Sequence, residues 1–133
     1  MQSIHEFMQS YFRERVELRK GWLAHSTPFR RKFFTPEYST EHYNSEEEIR
    51  SFARDTPPSV LSVDDSASAV ITTEPFGKRH RRRRYHLQPS GETWFIRRCE
   101  CECFMCKGTG KSGREICKNC DGIGWKHYGP SDA

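Results

Sequence analysis

"RRRRYHLQPSGETWFIRRCEC", residues 81–101, decides the fold class of this chain. Residues 81–88 and 93–101 carry aromatic and aliphatic strand formers, and Pro89-Ser90-Gly91 between them is turn chemistry. The stretch therefore reads as two antiparallel strands joined by a tight connection. Toward the N-terminus, VLSV at 60–63 and AVITTEPF at 69–76 have the same character, punctuated by Asp64-Asp65 and Gly77. Together they predict a meander of antiparallel strands.

Before residue 60 the period changes. From Ser3 to about Leu23, Ile4, Phe7, Met8, Tyr11, Leu18 and Trp22 recur at steps of three and four. Glu6, Arg13, Glu14, Glu17 and Arg19 fill the other positions, as in an amphipathic helix. Pro28 permits a second, short helix carrying Phe29, Phe33 and Phe34, which Pro36 interrupts, and the chain to Tyr43 reads as irregular. Ser45 followed by Glu48 is a capping box for a third helix, with Ile49 and Phe52 on its apolar side and Pro57-Pro58 at its end. Helices first and sheet second is an α+β layout.

Toward the C-terminus the character changes again. "CFMCKGTGKSGREICKNCDGIGW", residues 103–125, holds two copies of Cys-x-x-Cys-x-Gly-x-Gly: Cys103, Cys106, Gly108, Gly110 and Cys117, Cys120, Gly122, Gly124. A structural zinc takes four thiolate or imidazole ligands in a tetrahedron, and each Cys-x-x-Cys turn supplies two sulfurs at a suitable bite. The glycines let the chain curl so that amides point at sulfur. Lys107, Lys111, Lys118 and Lys126 offset the negative charge of four thiolates. So few large apolar residues could not fold unaided, so one structural Zn2+ on Cys103, Cys106, Cys117 and Cys120 is the expectation.

Two rival chemistries fit less well. Thioredoxin-type redox activity needs one pair at a strand-to-helix junction rather than two glycine-flanked pairs. GTGKS at 108–112 imitates the end of a phosphate-binding loop, but Met105 stands where its first glycine belongs. Cys99, Cys101 and Cys103 alternate onto one strand face, so Cys101 competes with Cys103 as a ligand if the register shifts. Only Cys103 completes the doubled motif, which leaves Cys99 and Cys101 as strand thiols.

The totals bound the rest. The 133 residues are 34% hydrophobic and 30% charged, with nine Phe, five Tyr and three Trp, enough for one principal core. Six cysteines without an apolar leader or membrane-length apolar run lead to the expectation of a soluble, cytoplasmic protein in a reducing compartment. The expected division is an α+β domain over 1–101, a four-cysteine knuckle over 102–128 and a loose tail over 129–133.

Two resemblances follow from these residues. Through the early amphipathic helix, FFTPEY at 33–38, ASAVITTEP at 67–75 and RYHLQPSGETWFIRR at 84–98, residues 1–101 resemble the nuclear-transport-factor-two-like (SnoaL-like, cystatin-like) superfamily. That resemblance implies helices packed into a curved antiparallel sheet to form a cone. Its pocket or sheet face would hold a protein partner or small ligand, and its outer sheet face, with Tyr85 and Phe95, would pair in a homodimer. Residues 103–124 resemble the cysteine-rich module of DnaJ chaperones, although this chain has two repeats where those proteins have four and shows no His-Pro-Asp motif.

The net charge of +4 permits nucleic-acid binding without requiring it. Lys78, Arg79, Arg81, Arg82, Arg83 and Arg84 form a basic stretch that could meet phosphates or an acidic partner, though on a strand they divide between two faces. Members of the cone superfamily include dehydratases, isomerases and toxin-neutralising immunity proteins. His25, Tyr11, Tyr38, His42, Asp64 and His86 would be conceivable pocket residues for the first two, but none forms a recognisable acid–base pair. No catalytic residue is assigned, and a non-enzymatic zinc-containing binding protein is the leading expectation.

Overall fold

A computed structural model describes residues 2–20, 27–37, 58–64, 69–75 and 81–128. Helix α1 spans Ile4–Lys20 and α2 Thr27–Phe33. The strands are β1 (Val60–Asp64), β2 (Val70–Thr73), β3 (Arg83–Ser90), β4 (Thr93–Glu102), β5 (Lys111–Ser112), β6 (Glu115–Ile116) and β7 (Trp125–Tyr128). Five of them form one antiparallel sheet in the order β1-β2-β3-β4-β7, while β5 and β6 form a separate two-stranded ladder. The mixed α+β class read from sequence is present. The capping-box helix expected after Ser45 and the tail after 128 lie outside the described residues.

Ser3 starts α1 by accepting a hydrogen bond from the Glu6 amide at 3.1 Å through its hydroxyl, the N-cap arrangement that satisfies an otherwise unpaired helical donor. Phe7, Met8, Tyr11, Phe12, Arg15 and Val16 then fall on the buried face, as a 3.6-residue period requires. Their packing partners come from α2 and the sheet. Tyr11 is the hub, with ring centroids 5.5 Å from Phe33 and Tyr85, 5.7 Å from Phe29 and 5.8 Å from Phe34. Edge-on and offset contacts at these separations suit aromatic quadrupoles and add to the hydrophobic gain.

Backbone hydrogen bonds fasten the helices to the hairpin. Thr35 donates to the Ile96 carbonyl at 3.0 Å just after α2, and Gln2 donates to the Glu92 carbonyl at 2.8 Å just before α1. The Trp94 indole donates back to the Gln2 carbonyl at 2.9 Å. The turn at Gly91, where φ is +61°, is thereby held beside the first helix.

Opposite Leu87 the register of β3 against β4 slips: His86 pairs with Arg98, but Leu87 pairs with Ile96. Arg97 is the extra residue of a β-bulge, which increases local twist and lets Ile96 and Cys99 both face the helices. This parity corrects one expectation. Tyr85 is fully buried against Tyr11 and Phe12, so it belongs to the helix-covered face and offers nothing to a dimer partner. Phe95 is half-buried, next to Ile96 in sequence and paired with exposed Gln88.

The sequence reading missed β7. After the cysteine-rich segment the chain returns to pair with β4, Cys99 opposite Tyr128 and Glu102 opposite Trp125. The knuckle is therefore an excursion between two neighbouring strands rather than an appendage after the last one. Alternating Trp-Lys-His-Tyr behind Gly124 was the available signal.

Candidate metal centre

Cys103 follows the last residue of β4 and Cys106 lies three residues on, while Cys117 follows β6 and Cys120 lies three residues on. All four are buried, and their Sγ atoms lie within 4.8 Å of one another. Cys103 is 3.8 Å from Cys117 and Cys106 is 3.7 Å from Cys120. Tetrahedral bonds of about 2.3 Å to zinc put sulfurs about 3.8 Å apart, so these separations already suit the ion. Cys103 is thus the fourth member of the cluster. Cys99 and Cys101 are buried in the main core instead.

The two knuckles repeat each other with an offset of fourteen residues. In each, the second cysteine is followed by a residue in left-handed conformation, Lys107 at φ +53° and Asp121 at φ +55°. The chain then curls so that an amide meets the second sulfur: Gly110 donates to Cys106 at 3.3 Å and Gly124 to Cys120 at 3.1 Å. The first cysteine of each repeat is also held through its own backbone amide. Cys103 donates its amide to the Gly124 carbonyl at 2.8 Å, and Cys117 donates to the Gly110 carbonyl at 2.9 Å.

Asn119, unremarked in the sequence reading, adds a side-chain donor to the Cys103 sulfur at 3.1 Å. Burial pushes the Cys103 thiol up, but the Asn119 amide and the backbone donors of Cys106 and Met105 outweigh it and bring it to about 6. Burial likewise raises Cys106, and the Gly110 amide turns the balance so that it lies below its ordinary value. Cys117 is pushed up to about 11, burial there exceeding the help of the Asn119 and Cys120 amides. Binding of a divalent ion would displace the thiol protons that remain.

The basic stretch is divided by the pleat. Arg81 and Arg83 are buried, whereas Arg82 and Arg84 are half-buried on alternate positions. Arg82 pairs with Glu102 at 3.0 Å, and Arg84 pairs with Glu100 at 3.0 Å. Both guanidiniums also lie over the Trp125 ring, at 5.3 Å and 4.0 Å from its centre. Arg82 and Arg84 thus join β3 and the residue before it to β4 and β7, while Lys78 and Arg79 fall outside the described residues.

Glu100 is the anchor of these contacts. Burial alone would raise its carboxyl; the hydrogen bond from His86 and the charges of Arg84, His86 and Arg98 reverse this and lower it from 4.5 to about 2. A carboxylate depressed on folding contributes stability above its unfolded value and loses it as pH falls through the folded one. Glu100→Gln should therefore cost about 3 kcal/mol at pH 7, and the gap from wild type should close between pH 4.5 and 2. Urea unfolding of both proteins at pH 7 and pH 3 checks this; a gap unchanged with pH would refute it.

The other candidate residues do not converge. Tyr11 is sealed in the aromatic hub, His86 bonds Glu100, and Asp64 is exposed at the end of β1. His25, Tyr38 and His42 lie outside the described residues. A separate cleft of about 480 Å³ runs between α1 and the start of β1, lined by His5, Gln9, Arg13 and Ser59 among others. No described helix is long and apolar enough to cross a membrane. No protein-family model, curated protein or solved structure matches the chain.

Proposed function

We propose that this chain is a non-enzymatic, partner-binding protein in which one structural zinc ion, held by Cys103, Cys106, Cys117 and Cys120, folds the excursion between β4 and β7. One observation carries the metal reading: four buried sulfurs lie within 4.8 Å of one another, two pairs of them at tetrahedral-edge separations of 3.7 and 3.8 Å, with amide donors already aimed at three of them. Four thiolates complete the shell of zinc and leave no position for a substrate or activated water, which supports a structural rather than catalytic ion. The helices-then-meander order is in keeping with a cone of the nuclear-transport-factor-two-like kind for residues 1–101.

Native mass spectrometry and elemental analysis test the metal. One zinc per chain is expected, removable by a strong chelator with loss of exchange protection at the Gly110, Cys117 and Gly124 amides. Iron in its place would give a coloured protein and correct the ion, and a metal-free, fully protected knuckle would end the proposal.

A further inference from the structure

Among the described residues, the exposed large apolar side chains are Phe104, Met105, Ile116 and Ile123, at 42%, 65%, 66% and 69% exposure, and every one lies in the knuckle. Among the described residues, the main domain buries its large apolar side chains or leaves them half-covered. Scattered single exposures need no explanation, but a concentration confined to one small module does.

The backbone places three of them on adjoining positions. The β4–β7 ladder ends at Glu102 opposite Trp125 and is followed by the hydrogen bond from Cys103 to Gly124, so Phe104 and Ile123 are the residues next to that bonded pair. Ile116 lies against Gly122, its Cγ2 atom 2.9 Å from where a Cβ on that glycine would stand, one residue from Ile123. None of these side chains is needed to enclose the cysteines, which are buried while the apolar residues face water.

Charge pairing differs between the sheet and the knuckle. Arg82, Arg84 and Arg98 on the sheet are all paired with Glu100 or Glu102. In the knuckle, Lys107, Lys111, Arg114 and Lys118 are exposed, and among the described residues none of their side chains enters an ion pair. These four cations outnumber the two carboxylates of the segment, Glu115 and Asp121. The sulfurs of Cys106, Cys103 and Cys120 lie buried beneath amide donors instead of at the surface.

We infer that the knuckle is a docking face for an acidic protein segment that inserts aliphatic or aromatic anchors among Phe104, Ile116 and Ile123 and sets carboxylates against Lys107, Lys111, Arg114 and Lys118. The inference rests on the metal reading, because only a folded knuckle gathers these side chains. Single-stranded nucleic acid would also meet the cations, but bases stack on aromatic rings, and here three of the four exposed apolar side chains are aliphatic. Aliphatic contacts surrounded by lysine and arginine suit carboxylate-rich peptide better.

The test is selection of a displayed random 16-residue peptide library on the zinc-loaded full chain. Enriched sequences should combine Asp or Glu with Leu, Ile or Phe, and a labelled peptide from them should lose at least about tenfold in affinity against Ile116→Ser/Ile123→Ser and against Lys111→Glu/Lys118→Glu. Its binding should also weaken as salt rises from 50 to 500 mM. Zinc content is read on every variant: a variant that keeps its zinc and loses the peptide supports the docking face, whereas loss of zinc in the unmutated chain would overturn the metal reading itself. Absence of enrichment, enrichment without acidic bias, or affinity unchanged in both variants would overturn the inference. Tight binding of a thymidine 20-mer lost in the lysine variant would assign the face to nucleic acid, and self-association abolished by the isoleucine variant would assign it to a second copy.

Discussion

Cys106→Ser and Cys120→Ser should each abolish stable zinc binding and strip hydrogen-exchange protection from residues 103–128 while leaving α1 and the β2–β3–β4 ladders protected. The reason is the division of the core into two clusters. The main one is built from Phe7 through Ile96 with Cys99 and Cys101, and the other contains only the four ligand cysteines. A module with four buried cysteines as its interior has little hydrophobic driving force. Structural zinc contributes an apparent ~10–16 kcal/mol in finger peptides, far more than any other interaction in the segment. The effect extends to β7 because, without the ion, pairing it with β4 means closing a 22-residue loop. Such closure costs about 3 kcal/mol before any contact is regained. Cys99→Ser should keep its zinc, with a stability loss of about 1–2 kcal/mol from placing a hydroxyl in the core. A serine ligand variant with full metal content, or a Cys99 variant without it, would show that the cluster has been misassigned.

Gly110→Ala and Gly124→Ala should each weaken zinc binding at least ~100-fold, although neither residue touches the ion through a side chain. Gly110 and Gly124 have φ of +77° and +85°, where an alanine costs about 1–2 kcal/mol. Space is the greater obstacle. A Cβ on Gly124 would stand 2.5 Å from the Gly108 carbonyl oxygen, and one on Gly110 would collide with that of Gly122. Each glycine is the point where one knuckle passes over the other, and each also donates to a ligand sulfur. The two halves would have to separate, and the loss of the sulfur bond compounds the strain to at least ~3 kcal/mol, or about two decades in affinity. Gly113 is the control: its φ is +64°, but a Cβ there meets nothing within 4 Å. Gly113→Ala should therefore cost about 1 kcal/mol and leave zinc affinity within about threefold. Competition against a chromophoric chelator measures all three; equal effects at Gly110 and Gly113 would mean that crowding between the knuckles is not what demands glycine.

The four-cysteine cluster was legible in the sequence because everything that defines it is local. Two sulfurs three residues apart, a left-handed turn and a glycine amide within four residues require no knowledge of the remaining chain, and Cys103 rather than Cys101 follows from the repeat alone. The buried stripe of α1 was legible for the same reason, since a helix carries its own period.

What a strand residue faces is a different kind of question, because its answer depends on neighbours distant in sequence and on register. Strand alternation divides a row of four arginines between two faces, but only pairing with β4 sends Arg81 and Arg83 inward and sets Arg82 and Arg84 opposite Glu102 and Glu100. Tyr85 was read as a surface aromatic, yet the sheet turns it toward Tyr11. The bulge at Arg97 shifts the parity between Ile96 and Cys99 by one residue, a step that alternation counted along β4 alone cannot register. Local chemistry therefore determined the four-cysteine cluster and the first helix from the sequence by itself. Only the tertiary structure decided which charges neutralise each other and that the chain returns as β7, because both depend on strand pairing between segments more than ten residues apart.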